Sequence, residues 1–354
     1  MSKSMTIQSS FGEYEVQTGC GLDDMFETIV SSFDSFLLVD ENIFRNYGRQ
    51  LSRFDKERIF RINAEESNKS LEQVAVICEW PSDQSASRSS ALVGVGGGIT
   101  QDLVAFSASV FHRGAPYILV PTTLLAMVDS CIGGKSSINV RGSKNIIGTF
   151  QGPTNVFISE EFLSSLSAED LASGFGEVAK FGLLESEQLL NLAVDALRFG
   201  VVSEEVAKEV VRLSLEIKQP FIEDDEFDRG IRRTLNYGHS VGHVIESLSE
   251  FRVPHGIAVA IGCHIENLLL RNSGASEKMI GFSAKLISAI PREYVELAAS
   301  VRPVDVLMKL QKDKKAASGK IKLIALEDFC RQTIVETALD FELASNCVEL
   351  LQEI

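Results

Sequence analysis

The apolar run Ala91-Leu92-Val93-Gly94-Val95 leads directly into Gly96-Gly97-Gly98, and a stretch of helical texture follows from Asp102 to Phe111. That order leaves few folds open. Three glycines after a strand let the backbone turn within a few residues and approach a ligand closely, because no Cβ stands in the way. A helix behind the turn aims its free N–H groups and the positive end of its dipole at that ligand, an arrangement suited to a pyrophosphate. Turns of this kind also serve only to pack a strand on a helix, so the pattern implies a strand-turn-helix unit before it implies a ligand.

The first half of the chain repeats the unit. Phe36-Leu37-Leu38-Val39 ends in Asp40 and is followed by helical texture to Phe54. Arg58 to Ile62, Ala75 to Ile77 and Tyr117 to Val120 supply further strand and helix pieces. Buried strands alternating with helices predict a Rossmann-like α/β domain over residues 1–159, with a parallel sheet covered on both faces and ligands at the strands' carboxyl ends. Asp40, at one such end, reads equally as a ribose ligand or as a helix cap.

From about Glu160 the texture changes to amphipathic helical periodicity. Helices are expected over 162–166, 176–184, 187–199, 204–219, 230–248 and 257–270, giving an all-α second domain over residues 160–354. A small hairpin near Ile321-Lys322-Leu323-Ile324 is the one exception considered. A length of 354 residues suits two such domains. The net charge of −15 argues against nucleic acid or an anionic membrane as partner, since phosphate backbones call for a basic face. Met1 to Val16 holds no secretory apolar stretch, and the uncharged run from Ala115 to Val128 is too short to span a bilayer. Six cysteines without a CxxC pair read as reduced thiols, so the expected location is cytoplasmic.

The second half carries the chemistry. His239 and His243 are four residues apart and share a helical face, which Glu246 extends. That spacing suits tetrahedral Zn2+, which accepts neutral imidazole nitrogens at about 2 Å, and it suits equally two histidines bonded within a helix interface. His255, between Pro254 and Gly256, offers another nitrogen. Glu177 reads as the N-terminal turn of a helix, with Lys180 on the same face, so a capping role explains it as well as a ligand role does. Arg113, Lys135, Lys144, Lys218 and Arg232 stand in glycine-flanked or apolar contexts. Such cations suggest an anion cradle rather than a solvated surface, and Arg232 could grip a carboxylate with both arms.

Several long motifs together resemble one family. They are Gly96 to Asp102, His112-Arg113-Gly114, Pro121 to Ser130, Gly133-Gly134-Lys135, Lys144 to Gly148, Glu177 with Lys180, Leu235 to His243, and His255-Gly256. The set resembles the sugar phosphate cyclases, 3-dehydroquinate synthases in particular, from about Asp40 to Lys322. The resemblance implies an NAD-binding domain, a helical domain and an active site in the cleft between them. It implies metal ligation (Zn2+ or Co2+) by Glu177, His239 and His255 instead of the His239–His243 pair that spacing suggests. It turns His243 toward the substrate phosphate and its leaving oxygen. Lys135, Asn236 and Arg113 match phosphate positions, with Arg113 reaching across a homodimer. Lys218 and Arg232 match carboxylate positions, and Asp129, Lys144, Asn145 and Lys180 match positions that read hydroxyls. Asp40, Glu66, Lys69, Gly97, Gly98, Asp102, Thr122 and Thr123 match NAD contacts, with Lys135 and Lys144 also assigned to the cofactor. Asp313-Lys314-Lys315 and Gly319-Lys320 resemble a closing motif in which Lys320 adds a substrate contact.

The implied reaction converts 3-deoxy-D-arabino-heptulosonate 7-phosphate to 3-dehydroquinate and phosphate. It proceeds by transient oxidation with NAD, phosphate elimination, re-reduction and aldol closure. Four departures from the family pattern stand out. Gln101 occupies a usual glycine position, and Ser165 and Ser167 replace Thr and Pro. Ile257 stands where a glutamate is frequent, and Ser136 to Arg141 is atypical. The rival readings are a sibling cyclase acting on an amino-substituted heptulosonate or on sedoheptulose 7-phosphate, and a glycerol-dehydrogenase-like oxidoreductase. Retention of Lys218, Arg232 and Asn236 favours a carboxylated substrate, since buried cations left unpaired are costly.

Overall fold

The computed structural model describes residues 3–141, 143–200, 202–312 and 318–354. Asp313, Lys314 and Lys315 of the closing motif lie outside them. The chain forms two compact units, one from Met1–Leu166 with Ala207–Phe227 and the other from Ser167–Val206 with Asp228–Ile354.

The first unit is built on a seven-stranded sheet. Its strands are β1 (Lys3–Ile7), β2 (Tyr14–Thr18), β3 (Ser35–Asp40), β4 (Ile59–Ile62), β5 (Ala91–Gly96), β6 (Tyr117–Pro121) and, after the hairpin β7 (Lys135–Val140) and β8 (Ser143–Phe150), β9 (Asn155–Phe157). The order is β1-β2-β9-β6-β5-β3-β4, parallel except where β1 pairs with β2. β5 and β6 are buried along their whole length and β3 all but its last residue, which is why these segments read as apolar runs rather than alternating ones. β3 has β4 on one side and β5 on the other, so the strand order reverses there. The carboxyl ends beside that reversal are Asp40 and Gly96, the place where open α/β sheets bind ligands.

The helix behind the glycine turn runs Gly98–Val110, four residues earlier than expected. Gly97 is its N-cap, and the first intrahelical bond already joins Gln101 N to Gly97 O at 3.0 Å. The N–H groups of Gly98, Ile99 and Thr100 are therefore the ones a helix leaves for an outside acceptor. The helix expected to stop at Gln219 runs Glu204–Asp224 straight through Pro220. Phe221 and Ile222, buried beyond the proline, hold the last turn although one backbone bond is lost.

The second unit is helical, with one exception. Lys320–Asp328 (β10) and Arg331–Ala338 (β11) form an antiparallel hairpin of nine and eight residues, so the expectation of an all-α second half is corrected. The expected helix over 230–248 is two pieces, a 3-10 turn Ile231–Asn236 and a helix His239–Leu248. Gly238 separates them at φ +77, and a Cβ there would lie 2.5 Å from both Cys263 Sγ and Val259 O. The helix bearing Glu177 begins at Ala168, capped by Ser167, whose Oγ accepts from Asp170 N at 3.0 Å. Glu177 is thus in the third turn, and the capping explanation for it fails. No helix among the described residues is long and apolar enough to cross a membrane.

Candidate active site

In the second unit the site begins with a seam that lacks side chains. The helices Ala168–Glu185 and His255–Leu269 cross where Gly176 meets Gly256. A Cβ on Gly176 would sit 2.0 Å from Gly256 O, and one on Gly256 would sit 1.8 Å from Ser173 O. Ser173 Oγ accepts from Gly256 N at 3.1 Å. Backbones that close bring the neighbouring residues together, and His255 Nε2 lies 3.4 Å from Glu177 Oε1. His239, the first residue of its helix after the Gly238 turn, places its own Nε2 3.5 Å from the same oxygen.

The protons at these rings follow from their neighbours. His239 Nδ1 lies 3.1 Å from Tyr237 O, and His255 Nδ1 lies 3.1 Å from Glu246 Oε2. Each Nδ1–H donates outward, which leaves Nε2 facing Glu177. The carboxylate is 1% exposed. Lys180 Nζ stands 2.5 Å from Oε2 in a pair buried on both sides. Burial pushes the Glu177 pKa up, but Lys180 and then the two imidazoles outweigh it and hold the group well below the usual carboxylate range. Burial drives His239 well below the ordinary histidine value, so it is neutral at pH 7. Burial lowers His255 too, but its bonds to Glu177 and Glu246 prevail and raise it to about 10. Without a cation His255 therefore keeps a proton toward Glu177, and a divalent ion would take that proton's place.

The residues present fit a metal. One deeply buried carboxylate oxygen and two imidazole nitrogens converge, a donor set suited to a tetrahedral divalent ion. His243, exposed, joins the cluster. One ligand atom from each of His239, His243 and His255 lies within 4.8 Å of the other two. Spacing and resemblance each named part of this set, and the structure gathers all four groups. Arg232 is buried, Asn236 Nδ2 donates to Arg233 O at 3.1 Å, and Lys320 on β10 is exposed with Nζ 3.5 Å from Glu336 Oε2.

The first unit holds the remaining predicted residues. Asp40 caps the helix Glu41–Leu51, its Oδ1 accepting from Asn42 N at 2.8 Å and Ile43 N at 3.3 Å. Thr122 N donates to Gly96 O at 3.1 Å, and Thr123 Oγ1 accepts from Ala126 N at 3.2 Å. Asp129 lies in a π-helical turn, Ala126–Ser130, an irregularity frequent at functional sites. Lys218 Nζ reaches that turn, 2.6 Å from Asp129 Oδ1 and within bonding distance of the carbonyls of Asp129 (2.5 Å) and Ile132 (3.1 Å). Lys69 pairs with Asp102 and donates to Asn145 Oδ1 at 2.7 Å. Asn139 Nδ2 donates to Glu66 Oε1 at 2.7 Å. Lys135 and Lys144 are exposed on β7 and β8, and Arg113 is exposed on the turn after Val110.

Little in the sequence warns of how the hairpin is held. Asp102 accepts from Ser137 N at 2.8 Å and Asn139 Oδ1 accepts from Asn145 N at 2.9 Å, each tying a residue of the atypical segment Ser136 to Arg141 to one outside it. Gln101 keeps its side chain buried, with Oε1 accepting from Ser130 Oγ at 2.5 Å. The bond from His255 to Glu246 was also missed. Its only signal was Glu246 standing on the histidine face of the helix.

Known proteins match this chain over most of its length. Residues 59–173 match the family model for the 3-dehydroquinate synthase N-terminal region, and residues 174–316 match that for the C-terminal region. A 3-dehydroquinate synthase of Clostridium tetani is 34% identical over 332 residues, covering 89% of this chain and 86% of that protein. One from Thermococcus kodakarensis is 38% identical over 260 residues, covering 73% and 72%. A solved 2-deoxy-scyllo-inosose synthase, crystallised with carbaglucose-6-phosphate, NAD+ and Co2+, shares the fold with TM-score 0.85 at 21% identity over 99% of both chains. The glycerol dehydrogenase of Schizosaccharomyces pombe is more distant, with TM-score 0.63 at 15% identity over 94% of this chain and 86% of that one. With both halves matched and relatives above 30% identity along most of its length, the chain belongs to the 3-dehydroquinate synthase family.

Proposed function

We propose that this protein is itself a 3-dehydroquinate synthase, acting on 3-deoxy-D-arabino-heptulosonate 7-phosphate with NAD and a divalent metal, Zn2+ or Co2+. The observation that carries the reading is the convergence of Glu177, His239 and His255 beside the buried Lys180. Bound NAD would borrow and return a hydride at the ring carbinol, and a bound divalent ion would polarise that hydroxyl.

The chain's own residues divide the remaining work. Glu177, His239 and His255 would hold the ion, and Lys180 keeps Glu177 ionised for it. His243, exposed beside them, would hold a proton at the leaving phosphate oxygen. Lys135 and Asn236 would bind the phosphate. Arg232 would take the carboxylate in its fork, with Lys218 at the same end of the substrate. Asp129, Lys144 and Asn145 would orient hydroxyls, and Lys320 would add a substrate contact. Rate would come largely from holding one compact conformation of a doubly anionic sugar.

For NAD, the free N–H groups after Gly97 and Gly98 suit a pyrophosphate, and Asp40 at the strand reversal suits a ribose. Glu66, Lys69, Asp102, Thr122, Thr123, Lys135 and Lys144 would line the same cofactor. His112, Arg113 and Gly114 take φ +50, +66 and +119 in succession, a costly exposed turn. That strain supports Arg113 serving a partner's site in a homodimer. Net negative charge and six free cysteines support a cytoplasmic setting.

The deciding experiment offers purified protein NAD, Zn2+ or Co2+ and a panel of heptulosonate phosphates, scored together for phosphate release and nicotinamide absorbance. Phosphate release without net absorbance change is expected. Net NADH production would favour a dehydrogenase, and preference for an amino-substituted or non-carboxylated sugar would favour a sibling cyclase.

A further inference from the structure

The two histidines facing Glu177 are supported differently. Behind His239 stands the carbonyl of Tyr237, a neutral acceptor two residues away. Behind His255 stands a carboxylate, Glu246, with Oε2 3.1 Å from Nδ1. Glu246 lies two helical turns beyond His239 in the helix His239–Leu248, so that helix supplies one histidine directly and supports another on the helix His255–Leu269.

We propose that Glu246 is a positioning residue for the metal, fixing His255 with Nδ1 protonated and Nε2 presented as a strong donor. The inference rests on the metal reading above. A carboxylate behind a ligating imidazole fixes the tautomer, restrains the ring and raises the basicity of the other nitrogen. The geometry meets each condition, because Nδ1 is bonded to Glu246 while Nε2 of the same ring lies 3.4 Å from Glu177 Oε1. Ile257 sharpens the assignment. It lies two residues beyond His255, apolar and fully buried, and offers no carboxylate to that ring. The carboxylate that serves His255 in this chain comes from the neighbouring helix.

Two substitutions separate this role from a plain charge effect. E246Q keeps an oxygen within reach of the Nδ1–H but loses the charge, whereas E246D keeps the charge on a side chain one methylene too short to reach. The readouts are Co2+ affinity by chelator competition, the visible spectrum of the Co2+ form, and thermal unfolding of metal-free protein. E246A is expected to weaken Co2+ binding about 10- to 100-fold. E246D should lose more affinity than E246Q and shift the Co2+ bands, while thermal unfolding of the metal-free proteins shows that both variants are folded. Should E246A fail to fold, the comparison between E246Q and E246D stands alone. Wild-type affinity and spectrum in E246A, or a larger loss in E246Q than in E246D, overturns the proposal. A wild-type protein that binds no Co2+ would sink the metal reading itself, a separate and recognisable failure.

Discussion

Lys218 Nζ stands 2.6 Å from Asp129 Oδ1, although 89 residues separate the two in sequence. The lysine is 5% exposed and also donates to the carbonyl of Asp129 in the π-helical turn and to that of Ile132 just beyond it. It therefore fastens that turn whatever else it binds. Lys218→Met should lower the stability of the ligand-free first unit by about 2–3 kcal/mol, the cost of a stranded partner discounted for the partial exposure of Asp129. Urea unfolding measures this, and an unchanged midpoint would mean that the lysine serves the ligand alone.

Asp40 can be assigned by two substitutions. Asp40→Ala removes the cap and should cost about 1 kcal/mol of stability. Asp40→Ser keeps a capping oxygen but no carboxylate, so stability should hold while NAD affinity, followed by calorimetry, falls. Equal NAD affinity in wild type and the serine variant would leave Asp40 as a helix cap and nothing more.

Lys180→Met should destabilise metal-free protein by about 3–5 kcal/mol, because Glu177 would keep its charge in a buried place. Saturating Zn2+ should restore much of the loss, since the ion supplies the missing positive charge. Thermal scans with and without Zn2+ test this, and an equal penalty in both would show that the carboxylate does not face the ion.

Gly256→Ala tests the seam. A Cβ 1.8 Å from Ser173 O forces the two backbones apart, and Glu177 moves away from His255 with them. The expected result is Co2+ binding weakened at least 10-fold together with a lower melting temperature. Retained affinity would show that the donors do not depend on the crossing.

His264, nine residues along the same helix from His255, gives a pH dependence of its own. It is buried, with Nδ1 2.9 Å from Ser283 Oγ, and burial followed by the charge of Arg271 lowers its pKa to about 4. The unfolded chain, titrating near the ordinary histidine value of 6.5, binds this proton first. Stability due to the neutral ring is thus complete above about pH 6.5 and is lost as pH falls toward 4, roughly 3 kcal/mol in all. His264→Gln should flatten the wild-type stability profile over that interval. Parallel profiles would refute the assignment.

The sequence made the parallel strands legible because burial on both faces leaves uninterrupted apolar runs, as in Phe36 to Val39 and Tyr117 to Val120. It obscured β7, β8 and β11, whose residues are largely polar and mostly exposed or half-exposed and whose partners lie across a turn. Glu177 looked like a cap because the glycines at 174 and 176 suggest a helix start. They are tertiary features instead, and Gly176 is small because another backbone passes there. Spacing alone paired His239 with His243, since four residues on one helix is a local relation. The proximity of Glu177 and His255 depends on a crossing between helices, which no local period encodes.

All three proposed donors leave from helices, Glu177 from the third turn of one and the histidines from the first residues of two others. Such a socket is preassembled, unlike that of a zinc finger, where ordering the chain and capturing the ion are one event. Chelation should accordingly strip this protein of its ion and leave a folded, reloadable apoprotein.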